Sequence, residues 1–171
     1  MNKKIKIFHI TSAIIVALLG TLLHFTYNLS GNNNLVALFS SVNESTWEHL
    51  KLLFFPMLLT SIAGYLFLFK SLNGYWCARA IGISISLIFT VVFFYTYSGI
   101  LGKNIAFIDI ISFFFSIILG EISSYTLMRN NIPCIEKYAI LFLIILTVSF
   151  VIFTFNPPNI GLFIDPTKMG I

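Results

Sequence analysis

Charged residues are scarce in this sequence: Asp, Glu, Lys and Arg make up only 9% of its 171 residues. Soluble domains carry roughly a quarter of charged residues, so the composition excludes an ordinary soluble protein. Hydrophobic residues reach 58%, nineteen residues are Phe, and the mean hydropathy is +0.95. The sequence therefore predicts an integral membrane protein. The formal charge of +4 then gives no support for nucleic-acid binding, because basic residues of membrane proteins mainly set orientation.

Uninterrupted apolar segments are long enough to cross a hydrocarbon core of about 30 Å, which takes roughly 20 helical residues. The five segments lie near residues 5–29, 50–69, 77–97, 105–128 and 138–155. They must be helices because lipid offers the backbone no hydrogen-bond partner, and they lack the alternation of a transmembrane β-barrel. We predict an all-α integral membrane bundle in a single domain over residues 1–171. Because the links are short, sequence neighbours are expected to be antiparallel.

Basic residues favour a cytoplasmic N-terminus. In that orientation seven of them lie inside, namely Lys3, Lys4, Lys6, Lys70, Arg79, Arg129 and Lys137. Only Lys51, Lys103 and Lys168 then lie outside, so the positive-inside rule predicts an N-in/C-out topology. The first segment is too long for a signal peptide and lacks a cleavage site, so we expect it to remain as an anchor.

Motifs built on cysteine, glycine and paired histidines are missing. The sequence has no Gly-rich phosphate loop, no His-Glu-x-x-His and no Cys-x-x-Cys. Its two cysteines, Cys77 and Cys134, lie 57 positions apart, a spacing that matches no zinc motif. Both fall near helix ends on the predicted cytoplasmic side, where thiols stay reduced. We therefore predict two free thiols and no disulfide.

One polar stretch, Asn-Glu-Ser-Thr-Trp-Glu-His-Leu-Lys at residues 43–51, interrupts the apolar sequence. Ionisable groups at the edge of a membrane segment are costly, so they suggest a function. Ser41 or Asn43 is the expected N-cap of the second helix, which would place Glu44 and Glu48 on one face.

Several polar side chains fall at the same outer depth in the predicted topology. A metal site formed by His24, Glu48 and His49, with Glu44 or Asp109 as a further candidate ligand, is one hypothesis, because imidazole and carboxylate groups together suit a divalent transition metal. The outer polar pocket would further include Tyr27, Glu44, Ser45, Tyr97 and Asp109. The alternative is structural: Glu48 pairs with Lys51, and acidic residues favour the positive end of the helix.

A membrane-embedded metal-dependent hydrolase is a second alternative, with Glu48 or His49 as general base. Ser45 and His49 lie one helical turn apart, which resembles in part the membrane hydrolase superfamily that contains alkaline ceramidases. That superfamily also needs a His-x-x-x-His pair late in the chain, and this sequence has no histidine after His49. The resemblance fails at the metal ligands, and the sequence favours a protein that is not an enzyme without deciding the matter.

Glu121 is the one carboxylate well inside a predicted span, and an intramembrane ionisable residue is a functional candidate by default. His9 is its predicted neighbour. No second charge is evident at mid-depth, so a proton or cation pathway lacks support, and a protonated, hydrogen-bonded Glu121 is the alternative.

Small and polar residues recur every three or four positions on two segments, which predicts close helix packing. On the first segment they are His9, Ala13, Ala17, Gly20, His24 and Asn28, and on the fourth they are Asp109, Ser112, Ser116, Gly120 and Ser124. Pro157 and Pro158 end the fifth helix, and the apolar residues 160–164 are expected to fold back over the outer surface.

Two stretches, His-Phe-Thr-Tyr at residues 24–27 and Val-Asn-Glu-Ser-Thr-Trp-Glu-His-Leu-Lys at 42–51, resemble a family of small bacterial multi-pass membrane proteins of unknown function. Residues 95–102, 109–110 and 157–166 fit the same pattern, and Asn-Glu-Ser-x-Trp-Glu-His is its most specific part. The resemblance covers nearly the whole chain and implies a protein of the bacterial inner membrane. It implies no activity, substrate or site.

Three functions follow from these observations and remain open. The first is binding or transport of a cation or small polar solute at an outward-facing His/Glu pocket, with a divalent transition metal as the candidate cofactor. The second is a structural or partner-docking membrane subunit, and the third is the hydrolase. The expected partner is the lipid bilayer, a homo-oligomer or a second membrane protein are further options, and nucleic acid is excluded.

Overall fold

The structure is a computed structural model that describes residues 2–130 and 133–166. All regular structure within these ranges is helical, and five helices are long and apolar enough to cross a membrane. They are α1 (Asn2–Leu29), α3 (Thr46–Gly64, continued by a π-helical turn at Tyr65–Phe69), α4 (Tyr75–Leu101), α5 (Ala106–Asn130) and α6 (Glu136–Phe155). A short α2 (Asn34–Ala37) lies between α1 and α3, and a 3-10 turn (Gly161–Phe163) follows α6.

The predicted all-α fold with five long helices is confirmed for the described residues. The largest difference is at the start of α3, where Ser45, rather than Ser41 or Asn43, is the N-cap and accepts the N–H of Glu48. The N-in/C-out orientation stays a prediction, and Lys168 lies outside the described residues.

Four of the long helices pack antiparallel, with α4 against α5 and α1 against both α3 and α5. α6 departs from the expected arrangement, because its main neighbour is α4, to which it runs parallel. It is also the least enclosed helix, since its buried residues are Leu143 and Phe150. Below, the amino-terminal end of the bundle is the end where α1 begins, and the far end is the end where α1 finishes.

Small residues allow α4 and α5 to approach closely, as the sequence predicted. A Cβ at Gly82 would lie 2.6 Å from Gly120 O, and a Cβ at Gly120 would lie 2.7 Å from Gly82 O. One turn further along, Ser86 Oγ donates a hydrogen bond of 2.8 Å to Ser116 O. The small-residue face of α5 is therefore a helix contact.

Gly20 plays a similar part where α1 crosses α3. Pro56 has no N–H, so the carbonyl of Leu52 lacks the helical donor that residue 56 would otherwise supply. A Cβ at Gly20 would lie only 2.5 Å from Leu52 O. Glycine at position 20 thus lets the α1 backbone pack directly against this carbonyl.

Cys77 and Cys134 form a disulfide, with their Cα atoms 6.4 Å apart. The prediction of two free thiols is therefore wrong. Because the α4–α5 hairpin returns the chain to the amino-terminal end, Cys77 and Cys134 are close in space although they lie 57 residues apart in sequence. The bond ties the first turn of α4 to the segment that precedes α6.

Candidate functional site

Three side chains from separate segments meet at the far end: His24 of α1, Glu44 of the loop before α3, and His49 of the first turn of α3. One potential ligand atom from each lies within 4.8 Å of the other two. His49 Nε2 is 3.4 Å from a carboxylate oxygen of Glu44, and the two imidazole rings are 5.3 Å apart. Two ligands of a tetrahedral zinc ion at ~2.1 Å are themselves about 3.4 Å apart. The Glu44–His49 distance already equals this value, and any pair that lies as far apart as 4.8 Å would have to close by about 1.4 Å to share one ion.

A backbone contact fixes the orientation of the His49 ring. Its Nδ1–H donates to the carbonyl oxygen of Ser45 at 3.0 Å, because that oxygen can only accept. Metal-binding histidines commonly use one ring nitrogen in this way and bind the ion through the other. His49 Nε2 faces Glu44 and carries the proton of the hydrogen bond to that carboxylate, so a cation would bind at Nε2 by replacing this proton.

Carboxylates surround the trio with negative charge. The hydrogen bond from His49 is the main reason why the pKa of Glu44 lies below its usual range, with partial burial and the nearby Asp165 opposing it. Glu44 is therefore ionised at neutral pH, and Asp109 adds its own field at His49. The charges of Glu44, Asp109 and Asp165 therefore favour the approach of a cation.

Tyr97 and Asp109, both assigned to the pocket from the sequence, are bonded to each other. The Tyr97 hydroxyl donates to Asp109 Oδ1, and the N–H of Ile105 donates to the Tyr97 oxygen at 3.2 Å. Asp109 acts on His49 through its charge, and it stands outside the set of three converging ligand atoms.

Glu48 occupies a different environment from the trio. It is only 2% exposed, and its carboxylate lies 2.6 Å from the ammonium group of Lys51. The same carboxylate accepts the N–H of Val42 and the hydroxyl of Thr154, each at 3.0 Å. Glu48 and Lys51 thus form the enclosed ion pair of the structural alternative.

Of the ligand set predicted from the sequence, the structure brings His24 and His49 together, and the carboxylate that converges on them is that of Glu44, because Glu48 pairs with Lys51. Adjacent helical residues point about 100° apart, so Glu48 and His49 face different surroundings. The signal that was missed is the capping-box pattern of Ser45 with Glu48 three residues later, which starts the helix after Glu44.

The two remaining predicted pocket residues contribute through structural contacts. Ser45 Oγ accepts the N–H of Glu48 at 3.4 Å as the cap of α3, and the backbone N–H of Tyr27 donates to Ser40 Oγ at 3.0 Å. His49 Nδ1 contacts the carbonyl of Ser45 rather than its hydroxyl. The described contacts therefore do not form the nucleophile–base pair that a hydrolase would need from Ser45.

The C-terminal tail folds back over the start of α3, as expected. The Trp47 ring centroid is 4.8 Å from that of Phe163 in the 3-10 turn and 4.5 Å from that of Phe150. This packing brings Asp165 into the electrostatic field of Glu44.

A second ionisable cluster lies inside the bundle, toward the amino-terminal end. Glu121 accepts hydrogen bonds from Arg79 Nη1 at 2.7 Å and from Nη2 at 3.1 Å. His9 Nδ1 lies 2.5 Å from the same carboxylate, and Ser12 Oγ donates to it at 2.8 Å. The predicted contact between His9 and Glu121 is confirmed, whereas the sequence reasoning missed Arg79.

The guanidinium of Arg79 is enclosed, with an exposed fraction of 0%. Its Nε donates to Ser61 Oγ at 2.7 Å, and its Nη2 also lies 3.3 Å from both Met57 O and Thr60 Oγ1. Residues from α1, α3, α4 and α5 thus satisfy one another, and the Arg79–Glu121 network has the character of a structural tie between four helices.

The model of one protein family, described as a family of unknown function (DUF6512), matches residues 1–171. The chain belongs to this family. No curated protein matches it, and no solved structure does. The predicted membership of a family of unknown function is thereby confirmed, while the bacterial origin remains a prediction.

For this DUF6512 protein, Arg79 was missed because it was counted as a loop charge at a cytoplasmic helix end. The sequence did contain a signal for this contact. An Arg and a Glu that both lie inside membrane spans are expected to pair, because neither charge has another way to offset its burial. With Arg79 and Lys51 both buried, the basic residues left for the positive-inside rule number six inside and two outside. The charge count therefore still favours N-in/C-out, whereas the Cys77–Cys134 disulfide at the amino-terminal end counts against a cytoplasmic location of that end.

Proposed function

We propose that this protein is a membrane protein that binds a divalent transition-metal cation through His24, Glu44 and His49. The observation that carries the proposal is the convergence of three ligand atoms from three separate segments within 4.8 Å. Two imidazoles and a carboxylate suit zinc, manganese, iron or nickel. Three protein ligands also leave one coordination position for water or a small solute.

Access and charge both support this assignment. The side chains of His49 and Glu44 are 35% and 50% exposed, so an ion can reach them without unfolding the bundle. The carboxylates of Asp109 and Asp165 strengthen the attraction for a cation without belonging to the trio. With the N-in/C-out topology, the site would face away from the cytoplasm.

Elemental analysis of the purified protein in mild detergent, after repletion with zinc, manganese, iron or nickel, tests the proposal. We expect near-stoichiometric metal in the wild type and its loss in His49→Ala. The sharpest control is a matched pair, Glu44→Gln and Glu48→Gln, which make the same change on either side of Ser45. Glu44→Gln should lose most of the metal, and Glu48→Gln should retain it in the fraction that elutes as folded protein.

One outcome would overturn the metal site, and another would overturn the assignment of Glu44 as its ligand. Absence of bound metal in the wild type after repletion would leave the Glu44–His49 contact of 3.4 Å as a structural tie between loop and helix. Loss of metal in Glu48→Gln with retention in Glu44→Gln would restore the ligand set expected from the sequence.

A further inference from the structure

An apolar groove runs between α4 and α6, and it shares no lining residue with the far-end trio or with the Arg79–Glu121 network. It consists of a cavity of about 460 Å³ and another of about 330 Å³, which share Ser84 and Phe142 in their walls. On α4 the lining extends from Cys77 to Val92. At ~1.5 Å per residue this is a length of about 22 Å, most of a hydrocarbon core of ~30 Å.

The groove is fixed at both ends. At the amino-terminal end, the disulfide between Cys77 and Cys134 holds the start of α6 against α4. At the far end, Phe150 of α6 packs on Trp47, and Thr154 donates to Glu48. Because α6 is attached at both points, it cannot close the space between them by sliding toward α4.

The chemistry of the lining residues restricts which molecules can occupy the groove. They are almost entirely apolar, so water would gain few hydrogen bonds there, while an empty groove would forfeit the dispersion contacts of its lining atoms. A single flexible hydrocarbon chain can supply these contacts along both cavities, because their linings are apolar and continuous through Ser84 and Phe142.

One residue in the wall of the groove carries a buried polar atom without a hydrogen-bond partner among the described residues. Trp47 lines the cavity nearer the far end, and this atom is its Nε1. Buried N–H groups normally have an acceptor, and the ester carbonyl of a lipid is an acceptor of the required kind. We propose that the α4–α6 groove binds the hydrocarbon tail of a membrane lipid, with the lipid's ester group near Trp47.

Intrinsic fluorescence tests this proposal because the chain has only two tryptophans, Trp47 and Trp76. In a Trp76→Phe background, delipidated protein in detergent is titrated with phosphatidylcholine that carries brominated acyl chains, which quench nearby indoles. We expect saturable quenching of Trp47, and native mass spectrometry should show one retained lipid for each chain.

Ser84→Phe places a large ring at the junction of the two cavities. It should weaken the saturable quenching by about tenfold or more, which corresponds to roughly 1.4 kcal/mol of lost contact. Ser123→Phe makes the same change on α5, outside the groove, and should leave the titration unchanged. If Ser84→Phe fails to fold, Val92→Phe tests the same groove, since Val92 lines it and is 59% exposed.

Quenching that does not saturate, with the same slope in Ser84→Phe and Ser123→Phe, would mean contact with bulk lipid only and would overturn the proposal. A lipid-free dimer in the mass spectrum that Ser84→Phe dissociates would also overturn it, in favour of a second copy as the occupant. Neither result depends on whether the far end binds metal.

Discussion

The far-end trio and the Arg79–Glu121 network use the same residue types, histidine and glutamate, in opposite ways. At the far end, Glu44 and His49 are partly exposed and share one long contact of 3.4 Å. Inside the bundle, the carboxylate of Glu121 has three polar partners, Arg79, His9 and Ser12, and is buried. The first cluster retains unused bonding capacity and can take a ligand, whereas the second has used its capacity to join helices.

The comparison shows why burial alone is a poor guide to a site in a membrane protein. A buried ionisable residue inside a span needs partners that offset the cost of its burial. Where other side chains of the protein supply all of these partners, the residue is explained by structure and need not bind a ligand. The sequence marked Glu121 as a functional candidate because it lies inside a span, yet it is the half-exposed Glu44 that converges with two histidines. The variants below test this contrast.

The largest effect is expected from breaking the interior network. Glu121→Leu leaves the guanidinium of Arg79 buried without a counter-charge, which typically costs about 3–5 kcal/mol. Thermal unfolding in detergent should therefore show a large loss of stability. The double variant Arg79→Met/Glu121→Leu removes both charges and should recover much of that loss. Wild-type stability in Glu121→Leu alone would contradict a structural role for the network.

A smaller loss is expected where α4 and α5 touch beside that network. Gly120 precedes Glu121, and its contact with Gly82 sets the distance that Arg79 has to bridge. Gly120→Ala would force the helices apart, and such overpacking typically costs about 1–3 kcal/mol. Thermal unfolding again provides the measurement.

Gly99→Ala is the matched control for Gly120→Ala. No neighbouring atom lies within 4 Å of a Cβ at Gly99, which is also helical. The control should be neutral or slightly stabilising, since Ala is the better helix former by about 1 kcal/mol. Equal destabilisation by both changes would show that the close contact is not what matters.

The fold could be predicted largely from apolar segment lengths, because the thickness of a bilayer dictates helix length before any packing is known. Local sequence carried less information about which helices meet. Short links predicted antiparallel neighbours, yet α6 lies parallel to α4, and the disulfide of Cys77 with Cys134 depends on that placement. Both features arise from tertiary contacts between distant positions.

The candidate site depended on a shift of a few residues in the predicted start of α3. With Ser41 or Asn43 as cap, Glu44 and Glu48 would share a helical face. With Ser45 as cap, Glu44 stays in the loop and can turn toward His49, while Glu48 reaches back to Lys51 and Val42. Residue types and membrane depth were readable from the sequence, but the choice between two glutamates required the position of the helix end.

The smallest effect on stability is expected at Glu44. A partly exposed pair such as Glu44–His49 typically contributes about 0–1 kcal/mol, so Glu44→Gln should change thermal unfolding little in metal-free protein. Because the pKa of Glu44 is lower when folded than its ordinary value, its contribution is fully present above that ordinary value, about 4.3. It should fade as the pH falls through the lower, folded pKa.

The difference in melting temperature between wild type and Glu44→Gln, measured without metal from neutral to acidic pH, should therefore be small and should shrink toward zero in acid. A difference that grows on acidification would mean that Glu44 prefers its protonated form in the fold, which would conflict with its role as an ionised ligand. A large difference in melting temperature at neutral pH would mean that Glu44, like Glu121, is mainly a structural residue. The contrast between the two clusters would then not hold.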